Sequence, residues 1–336
     1  MGIISLDVSN NELVGGIPRW MGNMSSLKEI VMAQNHPEGP FSEEFCNLYL
    51  LELLDLSMNN ISGHIPSCFG PVFISQVHIS RNKLQGPLTN AFRYSNALVT
   101  LDLSNNHLTG KIPNCIENLS QMSYLLLNNN HFEGRIPITT WNEISQEYAS
   151  YLADVGNVNT CFSINEPIEF TSKNKSYSYK GRVLTYLSGI DLSCNKLTAF
   201  SNLKQIESLD LSHNNLSGTI PTQLVVVGLY RLSYFSVAYN NLSGSTPVMT
   251  AQFSRFEESS YVGNPFLCGK PLPKKCSTSG PSSLPKESTD KGLIDMTGAS
   301  YVVGKSANVV TTFWKIIFCQ KDSIVEIDMV IQNKKH

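Results

Sequence analysis

The chain has 336 residues, of which only 15% are charged, and a formal net charge of −2. That leaves no basic field for nucleic acid or anionic lipid, and no apolar run reaches the roughly 18 residues that a membrane-spanning helix needs. The composition, with 31 Asn, 22 Gly and 16 Pro, points to amides and turn residues as building material.

The chain opens inside a repeat: MGIISLDVSNN has neither a basic n-region nor an apolar h-region, so no signal peptide is expected. LDVSNNELVGGIP at Leu6–Pro18 returns as LDLSMNNISGHIP at Leu54–Pro66, LDLSNNHLTGKIP at Leu101–Pro113 and LLLNNNHFEGRIP at Leu125–Pro137. Weaker copies run over Ile30–Phe41 and Val77–Leu88. The second apolar position falls at Val8, Met32, Leu56, Ile79, Leu103 and Leu127, in steps of 24 or 23 residues. Further copies centre on Leu192, Leu211 and Val237. A fixed period of this length is the mark of a stacked-coil solenoid.

Each letter of LxxLxLxxNxLxGxIP has a mechanical role. The LxL alternation puts two apolar side chains inward and the residues between them outward. Stacking aligns these short strands about 4.8 Å apart in a parallel sheet on one face. Where the coil leaves the strand its buried backbone groups need partners, and an inward Asn supplies two donors and an acceptor. The expected Asn ladder is Asn11, Asn35, Asn59, Asn82, Asn106, Asn130, Asn195, Asn214 and Asn240. Gly and Pro then set the turn toward the convex side. Asp7, Asp55, Asp102, Asp191 and Asp210 recur in phase and are read as repeat residues pointing to the concave face.

The period fails between Ile138 and Tyr186, a polar and aromatic stretch containing Trp141, Tyr148, Tyr177 and Tyr179. After it, the step from Leu192 to Leu211 is 19, with no GxIP in NKLTAFSNLKQ, as though residues between Thr198 and Phe200 had been excised. A shortened coil predicts local distortion there. The step from Leu211 to Val237 is 26, placing a bulge near Val225–Arg231. The tail is Ser/Pro/Gly-rich and reads as linker, with a weakly strand-like end at Ser323–Ile331.

At SNLKQIESLDLSHNNLSGTIP (Ser201–Pro221), FSVAYNNLSGSTP (Phe235–Pro247) and QFSRFEESSYVGNPFLCGKPLPKKC (Gln252–Cys276), the sequence resembles the plant class of leucine-rich repeat. More narrowly it is similar to the extracellular receptor-like proteins of plants, which carry repeats and an anchor but no kinase. The resemblance covers about residues 1–276. It implies an α/β-type solenoid, a right-handed superhelix with short parallel strands on its concave face and a mostly irregular or 3-10 convex side. The implied organisation is repeats over 1–137, a non-repeat island over 138–186, repeats over 187–250, a cysteine cap over 251–276 and a linker-like tail over 277–336. Against the family's pattern the chain lacks a signal peptide, an N-terminal cap and an anchor, so it is expected to be a C-terminal portion of a longer cell-surface protein.

The resemblance also implies a cap bridge between Cys268 and Cys276. Cys46 and Cys68 lie 22 apart, nearly one period, so stacking can bring them within bridging distance, whereas Cys115 is two coils from Cys68. Cys161, Cys194 and Cys319 have no evident partner. No zinc-type spacing is present, and neither metal nor cofactor is expected. Six sequons, at Asn23, Asn60, Asn118, Asn174, Asn215 and Asn241, are expected glycosylation sites of a secretory protein.

No hydrolase, zinc-protease, nucleotide-binding or kinase motif occurs, so an enzyme is not expected. On the concave face Gln76, His78, Arg81, Ser123, Tyr124 and Asn128 depart most from the LDLS consensus and are the candidate ligand residues. In the resembling family the island also takes part in recognition, which adds Tyr177, Tyr179 and Lys180. The expected function is ligand recognition in defence or development, with a peptide, protein or glycan ligand and a membrane receptor kinase as co-receptor. The alternatives are a secreted inhibitor of cell-wall-degrading enzymes and a truncated product without independent activity.

Overall fold

The computed structural model describes residues 3–137, 168–172, 175–179, 188–199, 206–221, 232–249, 251–276, 313–320 and 323–330. The chain divides into two compact units, Met1–Cys276 and Ser277–His336.

The first unit is a solenoid whose LxL segments are the strands β1 (Ser5–Asp7), β3 (Glu29–Val31), β5 (Leu53–Asp55), β7 (Gln76–His78), β9 (Thr100–Asp102), β11 (Tyr124–Leu126), β15 (Gly189–Asp191), β17 (Ser208–Asp210) and β19 (Tyr234–Ser236). They form one nine-stranded sheet in that order. Neighbours pair in parallel at equivalent repeat positions, as in Leu54↔Val77 and Ile190↔Leu209. From the second coil on, the middle residue of each strand and the apolar residue two further on are buried; Ile30, Leu54, Leu101, Leu56 and Leu103 are all 0% exposed. Each such side chain contributes about 1.5–3 kcal/mol by leaving water, which is why three-residue strands persist.

Between strand and turn stands the Asn ladder. Asn106 Nδ2 lies within hydrogen-bonding distance of the carbonyls of Ile79 (3.0 Å), Leu103 (3.1 Å) and Ser104 (3.2 Å). Its Oδ1 accepts the Leu84 N–H at 3.0 Å. One side chain thereby closes its own corner and staples the preceding coil. Asn35, Asn82, Asn130, Asn195, Asn214 and Asn240 each donate across a coil boundary in the same way. Asn11 bonds only within its own coil, to Val8 and Ser9. The ladder has a further rung that the sequence reading missed: Asn264, in the cap, donates to Val237 O at 2.9 Å and accepts from Leu242 N at 3.0 Å.

A second finding absent from the sequence reading is a lateral sheet. The xLxGx segments form β2 (Val14–Gly16), β4 (His36–Pro40), β6 (Asn60–Gly63), β8 (Lys83–Pro87), β10 (His107–Lys111), β12 (His131–Arg135) and β16 (Lys196–Ala199), a seven-stranded parallel sheet. The shortened coil ends it. Between β12 and β16 the register slips at Gly134/Arg135, and the next strands, β18 (Ser217–Thr219), β20 (Asn241–Ser245) and β21 (Phe266–Cys268), form a separate three-stranded sheet. The concave sheet runs through this point unbroken; the stretch between Ala199 and Ser208, where this coil is short, lies partly outside the described residues. The bulge expected near Val225–Arg231 lies outside the described residues.

The convex side carries 3-10 helices at Arg19–Asn23, Glu43–Asn47 and Asn114–Asn118, with two more, Ala251–Arg255 and Glu258–Ser260, entering the cap. Its interior is a run of edge-to-face rings, Phe41–Phe69 at 5.3 Å and Phe69–Phe92 at 5.6 Å. Cys46 and Cys68 are bonded across adjacent coils, and Cys268 is bonded to Cys276 in the cap. Cys194, which the sequence left without a partner, is disulfide-bonded, and Cys115 is free and half-buried. Within the island β13 (Ile168–Ser172) and β14 (Lys175–Tyr179) form an antiparallel hairpin. In the second unit β22 (Phe313–Gln320) and β23 (Ser323–Val330) form another. Among the described residues no helix is long and apolar enough to cross a membrane.

Candidate functional site

The concave sheet presents three outward rows, because strand alternation turns every second side chain away from the core. Strand register fixes two of them. One reads Ser5, Glu29, Leu53, Gln76, Thr100, Tyr124, Gly189, Ser208, Tyr234. The next reads Asp7, Val31, Asp55, His78, Asp102, Leu126, Asp191, Asp210, Ser236. The third, two residues further on, is mostly Ser. Each consensus Asp is locked in place by that Ser: Asp102 Oδ1 accepts the Ser104 N–H at 3.0 Å and its hydroxyl at 2.7 Å, and Asp55 and Asp191 repeat the arrangement. One carboxylate oxygen of each is thus committed locally.

The candidate residues fall into two groups two strands apart. Gln76 and His78 lie on β7, with Arg81 at the corner beyond it in a left-handed conformation, φ 55°. His78 stands between Asp55 and Asp102 in register, is only 4% exposed, and its Nε2 has no hydrogen-bond partner. Tyr124 is on β11, preceded by Ser123 and followed by Asn128. Ser123 and Tyr124 are buried, at 1% and 0% exposure, and Asn128 is half-buried. Tyr177 and Tyr179 fall on β14, paired with Phe170 and Ile168; Lys180 lies outside the described residues.

A polar cluster stands at the other end of the same face, joining two of the recurring aspartates, Asp191 and Asp210, to Tyr234, which the repeat pattern does not single out. The Tyr234 hydroxyl donates to Asp210 Oδ2 at 2.9 Å, and Asp191 is the next carboxylate in the row. Burial first, and the charge of Asp210 second, push the Asp191 carboxyl up to about 7. Burial and the neighbouring carboxylates also push the Tyr234 phenol up. His213, stacked on Tyr239 at 4.4 Å, is pulled down by burial against the opposing pull of Asp210. Tyr234 departs from the repeat consensus as visibly as Tyr124 does, but its partner sits 24 residues earlier and becomes its neighbour only through the strand register. Among the described residues no group of three or more His, Cys, Asp or Glu could hold a metal ion. An acidic groove with a phenol at its edge suits cationic and hydrogen-bond-donating ligand groups.

Leucine-rich-repeat family models match residues 74–132 and, separately, residues 2–24, 50–72 and 205–225. Cuscuta receptor 1 of Solanum lycopersicum is 35% identical over 34% of this chain and 13% of its own length. Receptor like protein 21 of Arabidopsis thaliana is 47% identical over 13% of this chain and 5% of its own. The chain carries leucine-rich repeats and is similar to plant receptor-like proteins.

Among solved structures, the chain is similar to the plant peptide hormone receptor RGFR1 in complex with RGF2, at TM-score 0.60 and 25% identity over 79% of this chain and 36% of that one. It is also similar to the Arabidopsis receptor kinase HAESA in complex with the peptide hormone IDA and the co-receptor SERK1, at TM-score 0.58 and 26% identity over 79% and 38%. A plant ice-binding protein shares the fold over 83% of this chain and 85% of its own, at TM-score 0.53 and 25% identity. The chain thus spans well under half the length of RGFR1, HAESA and the two curated relatives. Of its sequon asparagines, Asn23, Asn118, Asn215 and Asn241 are exposed and Asn60 is half-buried, beside a cavity of about 450 Å3 lined by Val14, His36, Glu38 and Met58. Asn174 lies outside the described residues.

Proposed function

We propose that this chain is the ligand-recognition part of a cell-surface receptor-like glycoprotein at the plant plasma membrane. It takes a peptide along its concave sheet and signals, in defence or development, through a partner receptor kinase that docks near the last coils and the cap. The reading is supported by the peptide-hormone complexes of RGFR1 and HAESA, the second of which includes the co-receptor SERK1. The observation that carries it is the Tyr234–Asp210 hydrogen bond beside Asp191, a polar cluster on the face that projects side chains from every coil. A groove rich in carboxylates favours a peptide with Lys or Arg side chains, by charge complementarity.

The chain, secreted from a eukaryotic host, would be panned against a random peptide library. The expected result is enrichment of basic peptides whose binding is lost in the Asp191→Asn/Asp210→Asn variant. Failure to enrich any peptide, or enrichment that the variant leaves unchanged, would overturn the assignment of this face.

A further inference from the structure

The second compact unit holds an element with no counterpart in the repeats, the hairpin of β22 and β23. Its two eight-residue strands are in continuous antiparallel register, from Phe313↔Val330 to Gln320↔Ser323. Successive residues of a strand belong to opposite faces, so the register sorts the hairpin into two unlike faces. One carries Trp314↔Met329, Ile316↔Ile327 and Phe318↔Val325, with Gln320↔Ser323 at the turn, and no charged residue. The other carries Phe313↔Val330, Lys315↔Asp328, Ile317↔Glu326 and Cys319↔Ile324, and so every charged residue of the two strands.

A two-stranded hairpin is at best marginal in water; a sheet needs a third strand or a layer over its apolar face. The register itself indicates what that layer is. A two-fold axis parallel to the strands lays β22 of one copy over β23 of another, with the two sheets about 10 Å apart. Cross-strand pairs keep their level under this rotation. Trp314 of one copy therefore falls over Met329 of the other, Ile316 over Ile327 and Phe318 over Val325. A large residue meets a smaller one at both ends and equals meet in the middle, the alternation that a filled layer needs. The same rotation leaves Lys315, Glu326 and Asp328 on the outer faces, in water.

We infer that the hairpin is a self-association element, through which two copies of this chain pair by stacking their uncharged faces. The occupant is a second copy because the face complements itself, level by level, under the rotation that makes a closed dimer. A bilayer fits less well. Across the hairpin and its turn, Lys315 and Lys321 stand against Asp322, Glu326 and Asp328, so the basic rim that draws an amphipathic element to anionic lipid is missing. The pairing is independent of the concave face and its ligand.

The test is sedimentation equilibrium on the full chain from a secretory host. A layer this small is at the low end of interface sizes, so a monomer–dimer equilibrium on the order of micromolar is expected. Ile316→Asp/Ile327→Asp sets acid over acid at the middle level and is expected to weaken pairing about a hundredfold or more. Ile317→Lys changes the neighbouring isoleucine, on the charged face and opposite Glu326, and should leave the constant within about threefold. A mixing experiment separates lost pairing from a lost hairpin. Ile316→Lys/Ile327→Lys and the Asp variant should each be monomeric alone and form a heterodimer when combined. A parent chain that stays monomeric, dimers unchanged by the Asp variant, equal loss in Ile317→Lys, or a mixture that stays monomeric would each overturn the proposal. So would parent chain that binds phosphatidylserine vesicles through this face without dimerising.

Discussion

The Tyr234 hydroxyl donates to Asp210 Oδ2 at 2.9 Å, joining two residues 24 positions apart in sequence and one strand apart in space. The bond gives Asp210 a donor for its negative charge. Asp191, one strand further along the row, has its own Oδ1 bonded to Ser193 but stays in the field of Asp210. Desolvation and that like charge together raise it from 3.8 to about 7, so one of the two adjacent carboxyls carries a proton over much of the acid range.

This makes stability depend on pH in a defined direction. The folded chain holds on Asp191 a proton that the unfolded chain loses near its ordinary value of 3.8. Between these two values the folded state binds more protons, so stability falls as pH rises from about 4 to about 7. The melting temperature is expected to be higher at about pH 5 than at about pH 8, with the difference reduced in Asp191→Asn. An unchanged pH profile in that variant would assign the dependence elsewhere. A basic peptide bound here should also release a proton near neutral pH, visible as a buffer-dependent heat in calorimetry.

The ladder predicts unequal costs for chemically identical substitutions. Asn106 is 1% exposed and serves four backbone groups on two coils. Asn106→Ala leaves buried polar groups without partners and is expected to cost about 3 kcal/mol or more. Asn11, exposed and bonded only to Val8 and Ser9, should cost under about 1 kcal/mol when changed to Ala. Urea unfolding of both variants measures the difference; equal costs would mean that the inter-coil bonds contribute nothing.

What was legible in the sequence is what repeats within one coil. The phase of Leu101, Leu103 and Asn106 gives strand, core and ladder, because side-chain direction follows from alternation alone. The lateral sheet was not legible: its Gly and Pro read as turn chemistry, and its pairing exists only between coils, as in Gly110↔Phe132. Asn264 escaped because the cap keeps the ladder spacing but drops the LxL strand that announces it. The concave site was half legible. Departure from consensus singles out Gln76 and His78, yet burial of Ser123 and Tyr124 depends on packing that no repeat pattern encodes. Tyr234 becomes meaningful only when register sets it beside Asp210.

The Cys46–Cys68 bridge closes a loop whose ends are 22 residues apart, almost one coil. Loop-closure entropy of that size stabilises the fold by about 3 kcal/mol. Cys46→Ser/Cys68→Ser is therefore expected to lower the denaturation midpoint clearly, and Cys115→Ser, which removes a free thiol, to leave it within experimental error. If mild reduction of the parent protein leaves the midpoint unmoved while thiol labelling shows both cysteines free, the bridge is not a stabilising element.

The cap depends on one glycine for two separate reasons. Gly263 directly precedes the last ladder residue, Asn264, at a position that takes φ of 52–55° in other coils and is filled there by residues such as Asn105, His213 and Tyr239. In the cap φ is 78°, and a Cβ would lie 2.5 Å from Tyr239 Cδ1 and 2.9 Å from Tyr239 Cα. Rotating the Tyr239 ring relieves only the first contact, and the ring is itself stacked on His213 at 4.4 Å. Gly15 has a similar φ of 84° with nothing within 4 Å of its Cβ position, so it isolates the backbone contribution. Gly15→Ala should cost about 1 kcal/mol, as expected for forcing an L-residue into the left-handed region. Gly263→Ala should cost about 2–4 kcal/mol, because backbone must also move. The excess is expected to appear locally: the Leu242 amide, which donates to Asn264 Oδ1 at 3.0 Å, should lose hydrogen-exchange protection while the Leu84 amide, bonded to Asn106, keeps it. Equal costs for the two glycines, or equal loss of protection at both amides, would show that the cap is not held by this close approach.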